Sequence, residues 1–319
     1  PLMFSYAALD IFKPRTSVKV ADSEWSKAVG LESIGTSGEI TADDKTTSVQ
    51  YRIGVSIELL SERYFRTKVI TFRPRYIIVN RTNREIYYTQ VGSNFAHLLK
   101  HKQSLPFHWL NRDETQKLSI TLSPHHTWSG GFAIDEIGEF AIKIRSKSCL
   151  DVTESENTAE LNYGSTYLAR VEIQLHAATF FVILKKQADR VPPYQLENYT
   201  DMEIHYYQKI HGAEPQTLSP HTSVPYTWDN ASGVHKLVID IPKIHYQKIM
   251  KMDKIKSNKS EEITVTFDGK EITYVGQVIA KGPTRILRIF KQEDAENNQE
   301  LKLKERESDL DPTVTFQLF

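Results

Sequence analysis

Between residues 49 and 59, apolar and polar side chains alternate without a break: Val49, Tyr51, Ile53, Val55, Ile57 and Leu59 against Gln50, Arg52, Gly54, Ser56 and Glu58. A two-residue period sends successive side chains to opposite faces of an extended chain, so this segment is predicted to be a strand with one face inside and one wet. Tyr167, Ala169, Val171, Ile173 and Leu175 repeat the pattern against Arg170, Glu172 and Gln174. Only residues 95–102 show anything resembling helical spacing. Elsewhere, short alternating runs are separated by clusters of Gly, Pro, Asn and Asp, which implies an all-β chain of antiparallel sandwiches. The polar stretches 36–48 and 151–165 read as surface loops.

The pattern also repeats, and a repeat decides the architecture. Asn80, Thr82, Ile86 and Gln90 recur as Asn198, Thr200, Ile204 and Gln208, with identical spacings. Leu105-Pro106-Phe107-His108-Trp109 matches Val224-Pro225-Tyr226-Thr227-Trp228, and a Lys-Leu-x-Ile strand starts at Lys117 in one copy and at Lys236 in the other. The offset is 118 to 119 residues throughout. A third, partial copy opens the chain: Pro1 to Phe4 aligns with Pro106 to Trp109, Trp25-Ser26 with Trp128-Ser129, and Ile34-Gly35 with Ile137-Gly138. The chain is therefore expected to be a piece of a longer one. It divides into the end of a preceding repeat (1–70), a complete sandwich (71–187), a last sandwich (188–290), and an acidic linker leading into a further domain (291–319).

Composition narrows the function. Forty basic and forty acidic residues give a formal net charge of zero, which excludes a surface that is wholly a nucleic-acid footprint. Cys149 is the single cysteine, so neither an intrachain disulfide nor a thiolate zinc cluster can form, and a reducing, cytosolic setting fits. No apolar run approaches the ~18 residues of a membrane-spanning helix. Four Asn-x-Ser/Thr sequons, at Asn80, Asn198, Asn230 and Asn258, point the other way. For two of them the repeat offers a different explanation, because a sugar acceptor has no reason to keep register with Thr, Ile and Gln.

Catalytic signatures are absent: there is no Gly-x-Ser-x-Gly, phosphate-binding loop, His-Glu-x-x-His or calcium loop. His97 and His101 stand at helical i,i+4 spacing and His125-His126 are adjacent, but neither pair has carboxylate or thiolate company and neither recurs between copies. The chain is expected to be no enzyme and to hold no metal or cofactor. Asn80 and Asn198 carry the most information. An asparagine after a strand can satisfy neighbouring backbone groups and fix a turn; alternatively, it can face an incoming peptide backbone. Both readings stand.

The last copy lacks Trp-Ser. In its place, residues 243–259, from Lys243 to Lys259, carry six lysines against one aspartate. With Ile249, Met250, Met252 and Ile255, this stretch is either an amphipathic contact for anionic lipid or a solvated insertion between strands.

Residues 70–82 (Ile-Thr-Phe-Arg-Pro-Arg-Tyr-Ile-Ile-Val-Asn-Arg-Thr), Pro225-Tyr226-Thr227-Trp228-Asp229 and Lys281-Gly282-Pro283-Thr284-Arg285 together resemble the adaptor-binding domain of vacuolar protein sorting-associated protein 13. The resemblance covers residues 1–290 and fits the last repeats of that domain. It implies β-sandwich repeats, each with a characteristic asparagine, here Asn80 and Asn198. It also implies a docking module for Pro-x-Pro motifs on organelle adaptor proteins, at the cytoplasmic face of organelle membranes (mitochondria, endosome or vacuole) and at membrane contact sites. Lipid would be carried by other regions of the full protein. A sandwich could take such a segment as an added strand near Asn198, its prolines on Tyr194, Tyr199, Tyr206, Tyr207 or Tyr226. The alternative is direct, weak contact of the lysine stretch with an anionic membrane; nucleic acid is not an expected partner.

Overall fold

The computed structural model describes residues 15–31, 33–35, 37–61, 66–123, 127–145, 166–187, 191–252, 261–267 and 270–297. Among the described residues, strands hold 55% and helix 3%, as the alternation predicts. Two compact units divide it, Pro1–Lys186 and Gln187–Phe319.

The first unit begins with β1 (Arg15–Thr16) paired to β2 (Val29–Gly30), followed by an antiparallel sheet of β3 (Ser37–Asp43), β4 (Gln50–Leu59) and β5 (Lys68–Pro74). Then come β6 (Tyr76–Arg81), β7 (Ile86–Gln90), β8 (His97–Leu99), β9 (Ser104–Phe107), β10 (Leu118–Thr121), β11 (Gly138–Arg145), β12 (Thr166–His176) and β13 (Thr179–Lys186). These form a five-stranded sheet in the order β11-β12-β13-β6-β9, in which β6 runs parallel to β13, and a three-stranded sheet β10-β7-β8. Consecutive strands β6 and β7 thus lie in different sheets, and the turn between them crosses the sandwich.

The second unit repeats this plan with one strand more. It contains β14 (Tyr194–Asn198), β15 (Ile204–Gln208), β16 (Gln216–Leu218), β17 (Ser223–Tyr226), β18 (Leu237–Ile241), a 3-10 turn (Pro242–Ile244), β19 (Tyr246–Met250), β20 (Glu261–Phe267), β21 (Lys270–Lys281), β22 (Thr284–Lys291) and the short α1 (Gln292–Asn297). The sheets are β17-β14-β22-β21-β20, with β14 parallel to β22, and β16-β15-β18-β19. Between them Leu196, Ile204, Tyr206, Leu218, Tyr226 and Trp228 anchor a single apolar core. Each large side chain so buried contributes about 1.5–3 kcal/mol.

Four sequence expectations need correction. The stretch 36–48 is not all loop, because Ser37–Asp43 is a strand with Ile40 and Ala42 buried; two small or branched apolar residues among polar ones are enough where a neighbouring strand supplies the rest of the core. The second face of β4 is not wet throughout, since Gly54 and Ser56 are also buried. A Cβ on Gly54 would lie 2.3 Å from the Ala178 carbonyl oxygen, so the turn between β12 and β13 rests directly on the β4 backbone. Residues 95–102 form no helix; His97–Leu99 is an edge strand with Leu99 buried. The tail after residue 290 starts with a helical turn, Gln292–Asn297, before leaving the described residues.

Candidate docking site

Asn80 is the penultimate residue of β6 and Asn198 the last of β14, both fully or nearly fully buried, and both use their amides in the same way. Asn80 Nδ2 donates to the carbonyls of Arg84 (2.7 Å) and Leu99 (2.9 Å), while its Oδ1 accepts from the Thr82 N–H (3.0 Å) and hydroxyl (2.8 Å). Asn198 Nδ2 donates to Met202 (2.8 Å), Leu218 (3.3 Å) and Ser219 (3.1 Å), and Oδ1 accepts from the Thr200 N–H (2.9 Å) and hydroxyl (2.8 Å). An amide with two donors and two acceptor sites is saturated by these partners. The geometry of both asparagines is that of a pin for the turn that crosses between sheets. Their strands offer no edge either: β6 lies between β13 and β9, and β14 between β22 and β17. A peptide strand cannot therefore pair with the Asn198 strand itself.

Two further pins were not assigned from the sequence. Gln90 Nε2 donates to the Asn111 carbonyl (2.6 Å) and its Oε1 accepts from the Asn111 N–H (3.0 Å). Gln208 makes the same pair of bonds with Asn230, at 3.1 and 2.8 Å. Asn230 thus holds a loop, as its counterpart Asn111 does, and each caps the N–H two residues on. The Trp-Ser pairs conserve the serine for a local reason: Ser26 Oγ accepts from Val18 N–H (2.9 Å), and Ser129 Oγ from Ile120 N–H (3.1 Å).

Of the five tyrosines, Tyr206 and Tyr226 are core residues and Tyr194 packs edge-on to Tyr226 and Trp228, with ring centroids at 6.4 and 5.4 Å. Tyr199 lies on the outer face of the larger sheet, against Val275 and Phe290, and donates its hydroxyl to Glu197 Oε2 at 3.0 Å. Glu197 also accepts from Arg288 Nε at 2.8 Å, a pair whose side chains are 11% and 6% exposed. Tyr207 accepts from Gln247 Nε2 at 3.1 Å on the outer face of the smaller sheet. The structure does not gather these rings into one groove, because strand alternation sends them to three different faces.

Part of the lysine stretch proves to be ladder. Residues 246–250 form β19, paired along β18 from Ile241↔Tyr246 to Leu237↔Met250, and Met250 and Met252 are buried in the core. That removes both methionines from any lipid-facing role and leaves Ile249 exposed. Lys254, Ile255, Lys256 and Asn258 lie outside the described residues, as do Cys149, His125 and His126. Among the described residues, β19 pairs only with β18, and β20, at the same side of the other sheet, only with β21. Between these edges Ile239, Ile241, Tyr246, Lys248, Met250, Gly276 and Ile289 line an apolar recess. Its interior admits about 10 Å³, one water's worth, so a larger group must enter from the edge by displacing Tyr246 or Lys248. Lys248, inward-facing on an edge strand, also guards that edge against unwanted pairing. Burial raises the Tyr246 phenol above its ordinary value. The opposite edge strand, β17, carries Pro225, which removes a donor there.

His97 stacks on Tyr88 at 5.4 Å, and His101 accepts at Nδ1 from the Asn83 N–H at 3.2 Å. With His97 in a strand, the helical spacing that paired it with His101 does not exist. Among the described residues no group of three His, Cys, Asp or Glu could hold a metal, and no helix is long and apolar enough to cross a membrane.

A family match spans residues 1–234: the adaptor binding domain of vacuolar-sorting associated protein 13. The chain belongs to this family. Similar curated proteins agree. The intermembrane lipid transfer protein VPS13 of Chaetomium thermophilum is 27% identical over 301 residues, covering 90% of this chain and 9% of that protein. The intermembrane lipid transfer protein vps13F of Dictyostelium discoideum is 25% identical over 318 residues (84% and 7%), and the human intermembrane lipid transfer protein VPS13D 28% over 194 (56% and 4%). The chain spans less than a tenth of the length of each of these relatives. As an adaptor-binding domain its partners are adaptor proteins.

Proposed function

We propose that this adaptor-binding domain captures Pro-x-Pro segments of organelle adaptors, and so directs an intermembrane lipid transfer protein to membrane contact sites at the cytoplasmic face of organelles. The observation that carries this reading is that β19, which among the described residues pairs only with β18, borders an apolar recess. An extended proline-containing segment has already lost part of its ordering entropy, can add main-chain bonds along an edge, and can set a proline ring between Tyr246 and Gly276. The same reading keeps the repeats at 71–187 and 188–290, with Asn80 and Asn198 stabilising them and the core tyrosines supporting, not contacting, the peptide. Tyr199 and Tyr207 are the two outward-facing rings left for a longer partner. The membrane reading loses support because Met250 and Met252 are core residues.

Titrating the domain with a Pro-x-Pro peptide while following amide exchange tests this. Slowed exchange along residues 246–250 is expected. Binding that leaves those amides unchanged, or that survives replacement of both prolines, would overturn it.

A further inference from the structure

The two units cover the same strand edge in different ways. By their pairing with β7 and β15, Leu118 and Ile120 of β10 correspond to Leu237 and Ile239 of β18. On its other side β18 carries a regular ladder, with Leu237↔Met250 and Ile239↔Lys248. The cover of β10 is not regular. Leu118 exchanges both main-chain bonds with Phe132, each at 2.9 Å, but the Ile120 carbonyl accepts from the Ser129 N–H at 2.8 Å. Three steps on one chain answer two on the other, which makes a bulge.

A bulge deprives a main-chain group of its ladder partner, and here a serine hydroxyl replaces it. Ser129 Oγ accepts from the Ile120 N–H at 3.1 Å and donates to the Gly130 carbonyl at 3.2 Å. The carbonyl of the extra residue is thus engaged within the bulge instead of being offered to a further strand. Gly131 is required by the same detour, since a Cβ there would lie 2.6 Å from Val91 Cγ2. Just upstream, the Thr127 N–H (3.1 Å) and hydroxyl (2.8 Å) both donate to the Arg145 carbonyl at the end of β11. Residues 127–132 therefore tie the edges of the two sheets together. The copy around Trp25 is built alike: Thr16 pairs with Val29, the Ser26 N–H donates to the Val18 carbonyl at 2.9 Å, and Ser26 Oγ joins the Val18 N–H (2.9 Å) to the Lys27 carbonyl (3.1 Å).

In the last copy Ser129-Gly130-Gly131 gives way to Gln247-Lys248-Ile249, and the segment runs as a regular strand. The apolar filling of the seam hardly changes, because Phe132 and Ile134 are buried in one unit as Met250 and Met252 are in the other. What changes is the main chain: a regular antiparallel strand presents N–H and C=O groups along its outer side, and a bulge interrupts them. Building on the β19 docking edge of the preceding section, we propose that the Trp-Ser bulge is a strand-edge seal. It closes the seam of the complete repeat to an added peptide, and its replacement by β19 opens the seam of the last repeat. Ser129 and its two glycines are then specificity-determining residues that never touch the peptide.

The test exchanges the two segments within the whole chain and titrates a Pro-x-Pro peptide. With residues 127–131 replaced by the sequence of 245–249, the chain should take up a second equivalent of peptide, and amides of the altered segment should gain protection on binding. The reciprocal chain, with the sequence of 127–131 at 245–249, should lose affinity at least about tenfold while both units still melt cooperatively. Ser129→Ala, which removes only the hydroxyl, should speed exchange of the Ile120 amide about tenfold. Should the first exchange unfold its unit, the reciprocal chain decides. An unaltered chain that binds no peptide would remove the docking reading and the seal with it. Peptide binding that is undiminished in the reciprocal chain, or a folded first variant that still takes a single equivalent, overturns the seal alone.

Discussion

The side-chain oxygen of Asn198 accepts two hydrogen bonds from Thr200, one from the backbone N–H at 2.9 Å and one from the hydroxyl at 2.8 Å. With its amide nitrogen on the Met202 and Leu218 carbonyls, this one side chain ties the end of a strand in one sheet to two points near the other. Asn198→Ala leaves buried donors and acceptors unpaired, so it is expected to cost on the order of 1–3 kcal/mol, as is Asn80→Ala. Thermal melts measure this. Unchanged melts accompanied by lost peptide affinity would show that the asparagines face a ligand instead.

The Glu197–Arg288 pair, buried on the outer face of the larger sheet, is a second place where one substitution has a large effect. Removing either partner leaves a buried charge, and Arg288→Met or Glu197→Ala alone is expected to cost roughly 3–5 kcal/mol. Replacing both by apolar residues of similar volume should cost far less, because both desolvation penalties disappear together. A double-mutant cycle in urea reads the difference. Additive losses would mean that the 2.8 Å contact carries no coupling.

Acid should act through Asp201. Lys291 Nζ at 2.6 Å, and then His221 Nε2 at 2.9 Å, hold its carboxyl at about 2, below the ordinary 3.8. A lowered carboxylate pKa stabilises the fold above the unfolded value and loses that stabilisation as the pH falls from about 4 through about 2. The group is at the surface, so salt should weaken the effect. Asp201→Asn is expected to flatten this part of the stability curve for the second unit, and a curve that keeps its slope between pH 4 and 2 would place the titrating group elsewhere.

Much of this was legible because two kinds of residue keep their spacing for physical reasons. Asn80 and Thr82 bond to each other, so their spacing of two survives in Asn198 and Thr200, and Ile53, Val55 and Ile57 of β4 and Ala169, Val171 and Ile173 of β12 are buried at the strand period, while Leu59 and Leu175 at the strand ends are exposed. What sequence left out depends on contacts between distant segments. Gln90 was visible as a repeated residue, but its partner Asn111 lies 21 residues on, and nothing local announces the bond. Residues 246–250 were absorbed into a lysine-rich insertion, 243–259, because the surrounding lysines mask the alternation of Tyr246, Lys248 and Met250, whose inward direction is set by pairing with β18. The tyrosines were grouped by residue type, while the ladder distributes them by parity.

Gly54 gives a local test of the contact between the first sheet and the turn after β12. Gly54→Val would drive a side chain into the Ala178 backbone, where a Cβ alone reaches 2.3 Å, and backbone cannot yield as a flexible side chain can. A loss of about 1–3 kcal/mol is expected in the first unit, with the second unit's melt unmoved. Gly38 faces open space on the same sheet, and Gly38→Ala should be nearly silent. Equal effects at the two glycines would contradict the close packing at Gly54.

Peptide capture makes the last and most specific prediction. Little area is buried by a short strand, and ordering the segment opposes binding, so affinity for one Pro-x-Pro peptide should be roughly micromolar. Replacing both motif prolines by alanine should abolish it. If a proline ring enters the recess from the β19 edge, Tyr246 is the wall it meets, and Tyr246→Ser should weaken binding about tenfold or more while the melt moves little, because that ring is only half-buried. Replacing Lys251, Lys254 and Lys256 by glutamine should scarcely matter, since main-chain bonding and apolar contact need no charge. Salt dependence separates the alternatives in the same titration: a docking edge loses little affinity between low and high salt, whereas attraction to lysines is screened. Capture that collapses on neutralising the lysines but tolerates Tyr246→Ser and loss of the prolines would assign the interaction to charge and remove the β19 edge from the mechanism.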